Sequence, residues 1–295
     1  MAGNGKAVFL GTSGPLALGA LRGLLSAGAH LDSVICVGEP AQSPPNELGG
    51  IQIRTHDDLA TVAYDARLPV AHTYGSTDQV VRRALTDAGA SLVICACLAA
   101  ILAAETLRAT PHGIWNIHPS TLPRFRGPAP MFWQLRNGLS VAGVSVHKMT
   151  QTIDSGPLWS RAPVQLPSGI GELQAEHLAG EVGGRLAAKL LEAPRIERYR
   201  RPVLFLNGSY QTHPTSADFS LEPEWGAERA LRFIRATHWR RQPYTYRQGG
   251  DSWLLHDAVG IRNVQLLKPR SVDGELMLPF ADRALVVRGQ QGREP

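Results

Sequence analysis

The chain has 295 residues, 43% of them hydrophobic and 19% charged, which is ordinary for a soluble globular enzyme and leaves room for one large domain, or for a large one plus a small one. A formal net charge of +5 favours anionic partners without naming one. No segment carries the roughly 18 consecutive apolar residues of a membrane span, and the first apolar run is too short for a secretion signal, so a cytoplasmic protein is expected.

KAVFLG (6–11) reads as a strand, and PLALGALRGLLSAG (15–28) as a helix ending on Gly28. The turn between them, GTSGPLALG, opens a helix as a nucleotide-binding turn does, and Glu39 falls after the second strand, SVICVG (33–38). The spacing is not G-x-G-x-x-G, so the turn suits some other anion or polar group better than NAD. EPAQSPPNELGG (39–50) is a turn-rich loop. Helical patterns follow at 56–63 and 77–89, with a short strand at 70–73 between them.

SLVICACL (91–98) is apolar throughout, as a central strand covered on both faces would be. It contains Cys95 and Cys97. With Cys36 they make three cysteines, too few for a disulfide framework, and no second pair follows to complete a zinc site; all three read as reduced thiols in or near the core. A helix is expected at 101–108. Then come a strand, IWNIHP (114–119), a helix (128–138), two strands (141–149 and 158–166) and a helix from 171 to 192. This alternation predicts an α/β, Rossmann-like, open and mostly parallel sheet.

The pattern divides the chain into a catalytic domain over 1–194, a Pro- and Arg-rich linker over 195–218, and a small C-terminal β-rich domain of barrel or meander type over 219–295. The last begins with a helix at 223–238, followed by the strand-like pieces YTYR, SWLLHD, IRNVQLL, GELMLP and ALVVRG. Two Arg-rich patches, 195–201 and 235–241, read as solvated surface or as a path for phosphate.

Chemistry concentrates in IWNIHPSTLPRFRG (114–127). Side chains alternate along a strand, so Asn116 and His118 share one face while Ile117 faces the core, and Pro119 leaves the pair at the strand's end, where open parallel sheets bind ligands. An amide donor beside an imidazole suits oxyanion stabilisation and proton handling during attack on a carbonyl; the same spacing also fits two satisfied polar groups at a strand end. TIDSGP (152–157) adds Asp154, a carboxylate able to orient the imidazole. No serine or cysteine stands as an evident nucleophile, so an acceptor would attack directly.

NIHPSTLPRFRGPAP followed by IDSGP resembles the signature of the formyltetrahydrofolate-dependent formyltransferases. VFLGTSGPLALGALRGLL and LVICACLAAILAAETL fit that frame, and EWGAERALRFIRATHW is similar to the start of the second domain of the methionyl-tRNA and sugar formyltransferases. The resemblance covers 6–245. It implies a transferase of one-carbon metabolism with 10-formyltetrahydrofolate as formyl donor and no metal. Asn116 would hold the oxyanion, His118 would stabilise it and handle the amine proton, and Asp154 would position His118 and relay a proton. The resemblance places the pterin against Leu98, Ile101 and Leu102 and against Thr150, Ile153 and Asp154. Thr12, Ser13, Ser120 and Arg126 are the expected acceptor-binding residues.

The 39–50 loop has no Lys or Arg, whereas the tRNA-directed enzymes carry a basic insertion there. A small or carrier-bound primary amine is therefore the favoured acceptor over tRNA. A formyltetrahydrofolate hydrolase and a non-catalytic folate- or nucleotide-binding module are the other readings, and the intact Asn116, His118 and Asp154 argue against the second.

Overall fold

The structure, a computed structural model, describes residues 5–38, 46–48, 51–53, 58–98, 100–193, 208–272 and 275–292. Glu39 and the Arg-rich patch at 195–201 lie outside the described residues.

In chain order the elements begin with β1 (Lys6–Gly11), α1 (Pro15–Ser26), β2 (Ser33–Val37), β3 (Asn46–Leu48), β4 (Ile51–Ile53), α2 (Leu59–Asp65), β5 (Val70–Thr73) and α3 (Asp78–Asp87). Next are β6 (Ala90–Ala96), α4 (Ala104–Arg108), β7 (Gly113–His118), α5 (Pro130–Arg136), β8 (Val141–Lys148), β9 (Leu158–Gln165) and α6 (Glu172–Leu191). The remainder is β10 (Ser220–Leu221), α7 (Ala227–Thr237), β11 (Tyr244–Gln248), β12 (Asp251–Arg262), β13 (Arg270–Val272), β14 (Glu275–Pro279) and β15 (Ala284–Gly292). Among the described residues, no helix is long and apolar enough to cross a membrane.

The chain divides into a unit of Met1–Pro130, Val141–Val164 and Leu173–Gln211, and a second of Met131–Ser140, Gln165–Glu172 and Thr212–Pro295. A seven-stranded sheet carries the first, in the order β5-β2-β1-β6-β7-β8-β9. Its first five strands pair in parallel, and β8 runs antiparallel to β7. The expected mostly parallel α/β sheet is therefore present. β6 is buried along nearly all of ASLVICA because it sits between β1 and β7 with both faces covered. Val8, Leu10, Ile35, Val93, Cys95 and Ile114 build one core cluster against Val81 and Leu85 of α3.

α1 starts on Pro15, whose missing N–H costs nothing at a helix start, and it stops before Gly28, which takes φ +74. Along α1 the glycines have a packing reason. A Cβ on Gly19 would lie 2.1 Å from the His177 carbonyl oxygen of α6, and one on Gly180 would lie 2.3 Å from that of Leu16. The two helices thus meet backbone to backbone.

The second unit holds a six-stranded sheet, β10-β11-β12-β15-β14-β13, antiparallel except where β10 joins β11. IRNVQLL is not a strand of its own. Ile261 and Arg262 finish the long β12, and 263–267 leave the sheet. Two register shifts let β12 bend and keep its pairing with β15 without a turn. An aromatic core of Phe132, Phe219, Phe233 and Tyr244 has ring centroids 5.3–6.2 Å apart. Beside it Glu172, fully buried, accepts from Arg240 Nη2 (2.6 Å) and Nε (2.7 Å) and from Trp239 Nε1 (2.9 Å).

Candidate active site

The antiparallel step from β7 to β8 builds the site. Their register places Asn116 opposite His147 and His118 opposite Ser145. Trp115 and Ile117 are buried; Ile117 packs where α6 passes at Gly183, so Asn116 and His118 present the other face, as the alternation predicts. The chain after β8 then returns in a tight loop that sets Asp154 against this face. Asp154 adopts φ +49, a left-handed conformation that Asp tolerates better than most residues.

Four side chains converge. Asp154 Oδ1 lies 3.5 Å from His118 Nδ1 and 3.5 Å from His147 Nε2. Asn116 Nδ2 lies 3.3 Å from the same His147 nitrogen. Asp154 Oδ2 accepts from the Gly127 N–H at 2.8 Å. On its far side His118 directs Nε2 at the Phe125 carbonyl oxygen, 2.9 Å away, which assigns the ring proton to Nε2 and leaves Nδ1 as the basic nitrogen facing Asp154. His147 Nδ1 similarly meets the Lys148 carbonyl oxygen at 3.2 Å, so that its Nε2 accepts from the Asn116 amide.

Burial decides the charge state. His118 is only 4% exposed, and desolvation holds its pKa below the ordinary imidazole value, more than the attraction of Asp154 restores. Burial also opposes ionisation of Asp154, but attraction to the protonated forms of His118 and His147, with the Gly127 N–H, outweighs it and holds that carboxyl at about 2. Near neutral pH the pair is a neutral imidazole beside a carboxylate. This suits taking up one proton on His118 Nδ1, because Asp154 then stabilises the charge.

The structure brings Asn116, His118 and Asp154 together and adds His147. That residue lies on the same strand parity as Ser145 and directly opposite Asn116, and this parity is the signal that could have singled it out. Ser145 is fully buried and braces the turn beyond β7, donating to the Ser120 carbonyl oxygen (2.7 Å) and accepting from the Leu122 N–H (3.1 Å).

The other expected residues take varied positions. Leu102 is buried and Leu98 packs against the core cluster, whereas Ile101 is 68% exposed on the loop after β6. That loop is fixed at both ends: Thr12 Oγ1 donates to the Cys97 carbonyl oxygen (2.8 Å), and the Ala103 N–H donates to Asp78 (2.8 Å). Thr150 and Ile153 are exposed in the loop that carries Asp154. Ser13 is exposed and Arg126 half-buried. Ser120 is fully buried, and its hydroxyl donates to the Arg124 carbonyl oxygen at 2.7 Å.

The family model described as formyl transferase matches residues 7–169. Over 293 residues the chain is 28% identical to the methionyl-tRNA formyltransferase of Nitratidesulfovibrio vulgaris, covering 96% of this chain and 87% of that one. An N-formyltransferase from Helicobacter canadensis, solved with folinic acid and dTDP-3-aminofucose, superposes with a TM-score of 0.64 at 14% identity, covering 97% and 99% of the two chains. The methionyl-tRNA formyltransferase of Clostridium thermocellum gives 0.54 at 10%, covering 97% and 100%.

Proposed function

The chain belongs to the formyl transferase family, and from that membership we propose that it moves a formyl group from 10-formyltetrahydrofolate to the primary amine of a small or carrier-bound acceptor. The observation that carries this reading is the cluster of Asn116, His118, His147 and Asp154 around one strand end. It is a polar constellation with a hydrogen-bond donor, a neutral base and a fixed carboxylate, and no covalent nucleophile. For the donor, Ile101 on the loop after β6 and Ile153 beside Asp154 offer exposed apolar surface to a flat ring system.

When bound, 10-formyltetrahydrofolate supplies an electrophilic formyl carbon. Asn116 Nδ2 donates to the formyl oxygen as charge develops there during amine attack. His118 accepts the amine proton on Nδ1 and returns one to the departing nitrogen. Asp154 holds the ring and stabilises its charged form, and His147 orients the Asn116 amide.

This role sets the pH dependence. The working form of His118 is neutral, and burial lowers its pKa, so kcat at saturating acceptor should hold as pH falls and drop only below about 6.5. Asp154→Asn removes the negative charge that raises the His118 pKa, so the acid limb should move to still lower pH as kcat falls. A limb at or above 6.5, or an upward move in Asp154→Asn, would exclude this assignment.

The acceptor reading rests on the sequence of the 39–50 loop, which lacks Lys and Arg and contains Glu39 and Glu47, and an acidic loop repels phosphate. The relatives named for methionyl-tRNA support tRNA as the second reading. One assay separates them. Purified protein and 10-formyltetrahydrofolate are offered initiator methionyl-tRNA, amino sugar nucleotides, or free amines including amino acids, with tRNA retention followed at about 150 mM salt. Turnover with a small amine and no tRNA retention is expected. Saturable tRNA retention with turnover only in that pool favours the second reading, and formate release without any amine favours a hydrolase.

A further inference from the structure

Residues 208–211, read from the sequence as linker, lie against the loop that follows β7. Ser209 commits all three of its polar groups there. Its hydroxyl accepts from the Phe125 N–H (2.9 Å), its carbonyl oxygen accepts from the Arg126 N–H (2.9 Å), and its N–H donates to the Pro123 carbonyl oxygen (3.1 Å). The Gln211 N–H donates to the Arg126 carbonyl oxygen (2.9 Å), completing a short parallel bridge. The fit leaves no slack: a Cβ on Gly127 would lie 2.0 Å from the Gln211 carbonyl oxygen.

This loop meets both titrating partners of the candidate site. The Phe125 carbonyl oxygen binds His118 Nε2, and the Gly127 N–H binds Asp154. Phe125 itself has φ +56, which a bulky residue holds only when its surroundings impose it. Its N–H is fixed by the Ser209 hydroxyl, and its C=O lies in one peptide plane with the Arg126 N–H that the Ser209 carbonyl holds, so Ser209 grips Phe125 on both sides. Releasing the N–H removes one of these two holds, lets φ relax toward an ordinary value and loosens the aim of the carbonyl at the imidazole.

We propose that Ser209 is a positioning residue for His118: through its hydroxyl it holds Phe125 in the left-handed conformation that aims the Phe125 carbonyl at Nε2. The proposal rests on the assignment of His118 as the site's base. It places a supporting piece of the site at 208–211, within the first unit and outside the signature motif. The groups facing His118 are Asp154 from the loop after β8, His147 from β8 and the Phe125 carbonyl. The Phe125 contact raises the His118 pKa, and losing it lowers that pKa further.

The test compares Ser209→Ala, Ser209→Val and Ser209→Thr, the last two alike in shape but differing in the hydroxyl. The His118 ring is titrated by NMR in each full-length protein, whether or not an acceptor is known, and kcat and KM are measured with the acceptor that the wild type uses. The expected result is a lower His118 pKa, loss of the fixed Nε2–H form and a roughly tenfold lower kcat in Ala and Val, the scale of one hydrogen bond. KM for the folate should be unchanged, thermal midpoints should fall by no more than one hydrogen bond accounts for, and Thr should behave as wild type. A wild type with no formyl transfer defeats the functional reading, while the NMR titration still decides this one. A wild-type His118 titration in Ala and Val overturns the proposal, and so does a Thr variant indistinguishable from Val.

Discussion

Asn116→Ala is expected to lower kcat for formyl transfer by roughly 10²- to 10³-fold, with thermal stability close to that of the wild type. The size follows from where the amide stands. It is half-buried on the strand that ends at His118, and the His147 ring nitrogen 3.3 Å away fixes its direction. A donor held in advance for a developing oxyanion loses nothing to reorganisation during reaction, and a mobile water in the space left by Ala does not replace it. Because the interaction strengthens only as charge builds, the loss should appear in kcat and leave KM for either substrate nearly unchanged. Steady-state kinetics on the variant decide the matter. A loss of less than tenfold, or one confined to KM, would remove Asn116 from the role of oxyanion donor.

Glu172→Ala should destabilise the second unit by about 3 kcal/mol, the lower end of the range for breaking a buried ion pair. Glu172 has no exposed surface and takes three donors, two from Arg240 and one from Trp239. Its removal takes the carboxylate from a guanidinium that is only 22% exposed and stacks over the rings of Phe132 and Trp239. The lower end applies because Arg240 retains some access to water. A urea melt measures the loss, and Glu172→Ala with Arg240→Met should recover part of it, since the double change removes the buried cation together with its carboxylate. A single variant that melts within 1 kcal/mol of wild type, or a double variant worse than both singles combined, would show that the pair has no such role.

Much of this molecule was legible in the sequence because its strands are short apolar runs punctuated by turns. KAVFLG, SVICVG and SLVICACL fall within a residue or two of β1, β2 and β6, and the period-two spacing of Asn116 and His118 was enough to put both on one face. His147 was not singled out because its importance depends on register: only the pairing of β8 with β7 sets it opposite Asn116. The segment 208–211 was read as linker because its role is carried by backbone groups and one hydroxyl, which leave no periodic trace in GSYQ. IRNVQLL looked like a strand of its own because composition does not reveal a bulge, and the bulges are what let β12 run on to Arg262. Gly19 was read as part of a glycine-rich turn, whereas it lies inside α1 and meets the backbone of α6.

That last contact bears on how the protein is made. α1 leaves the ribosome before α6, yet the helix that closes over Gly19 and Gly23 is α6, whose residues are translated only after β1 to β9. Until then the nascent β1–α1 segment has the backbone groove at Gly19 and Gly23 open. Contacts between such distant parts of a chain form slowly, and the interval is one in which exposed apolar surface invites association with other chains. A ribosome stalled before residue 172 would therefore present a sheet lacking its covering helix, which makes the incomplete chain, more than the finished one, a natural client for chaperones.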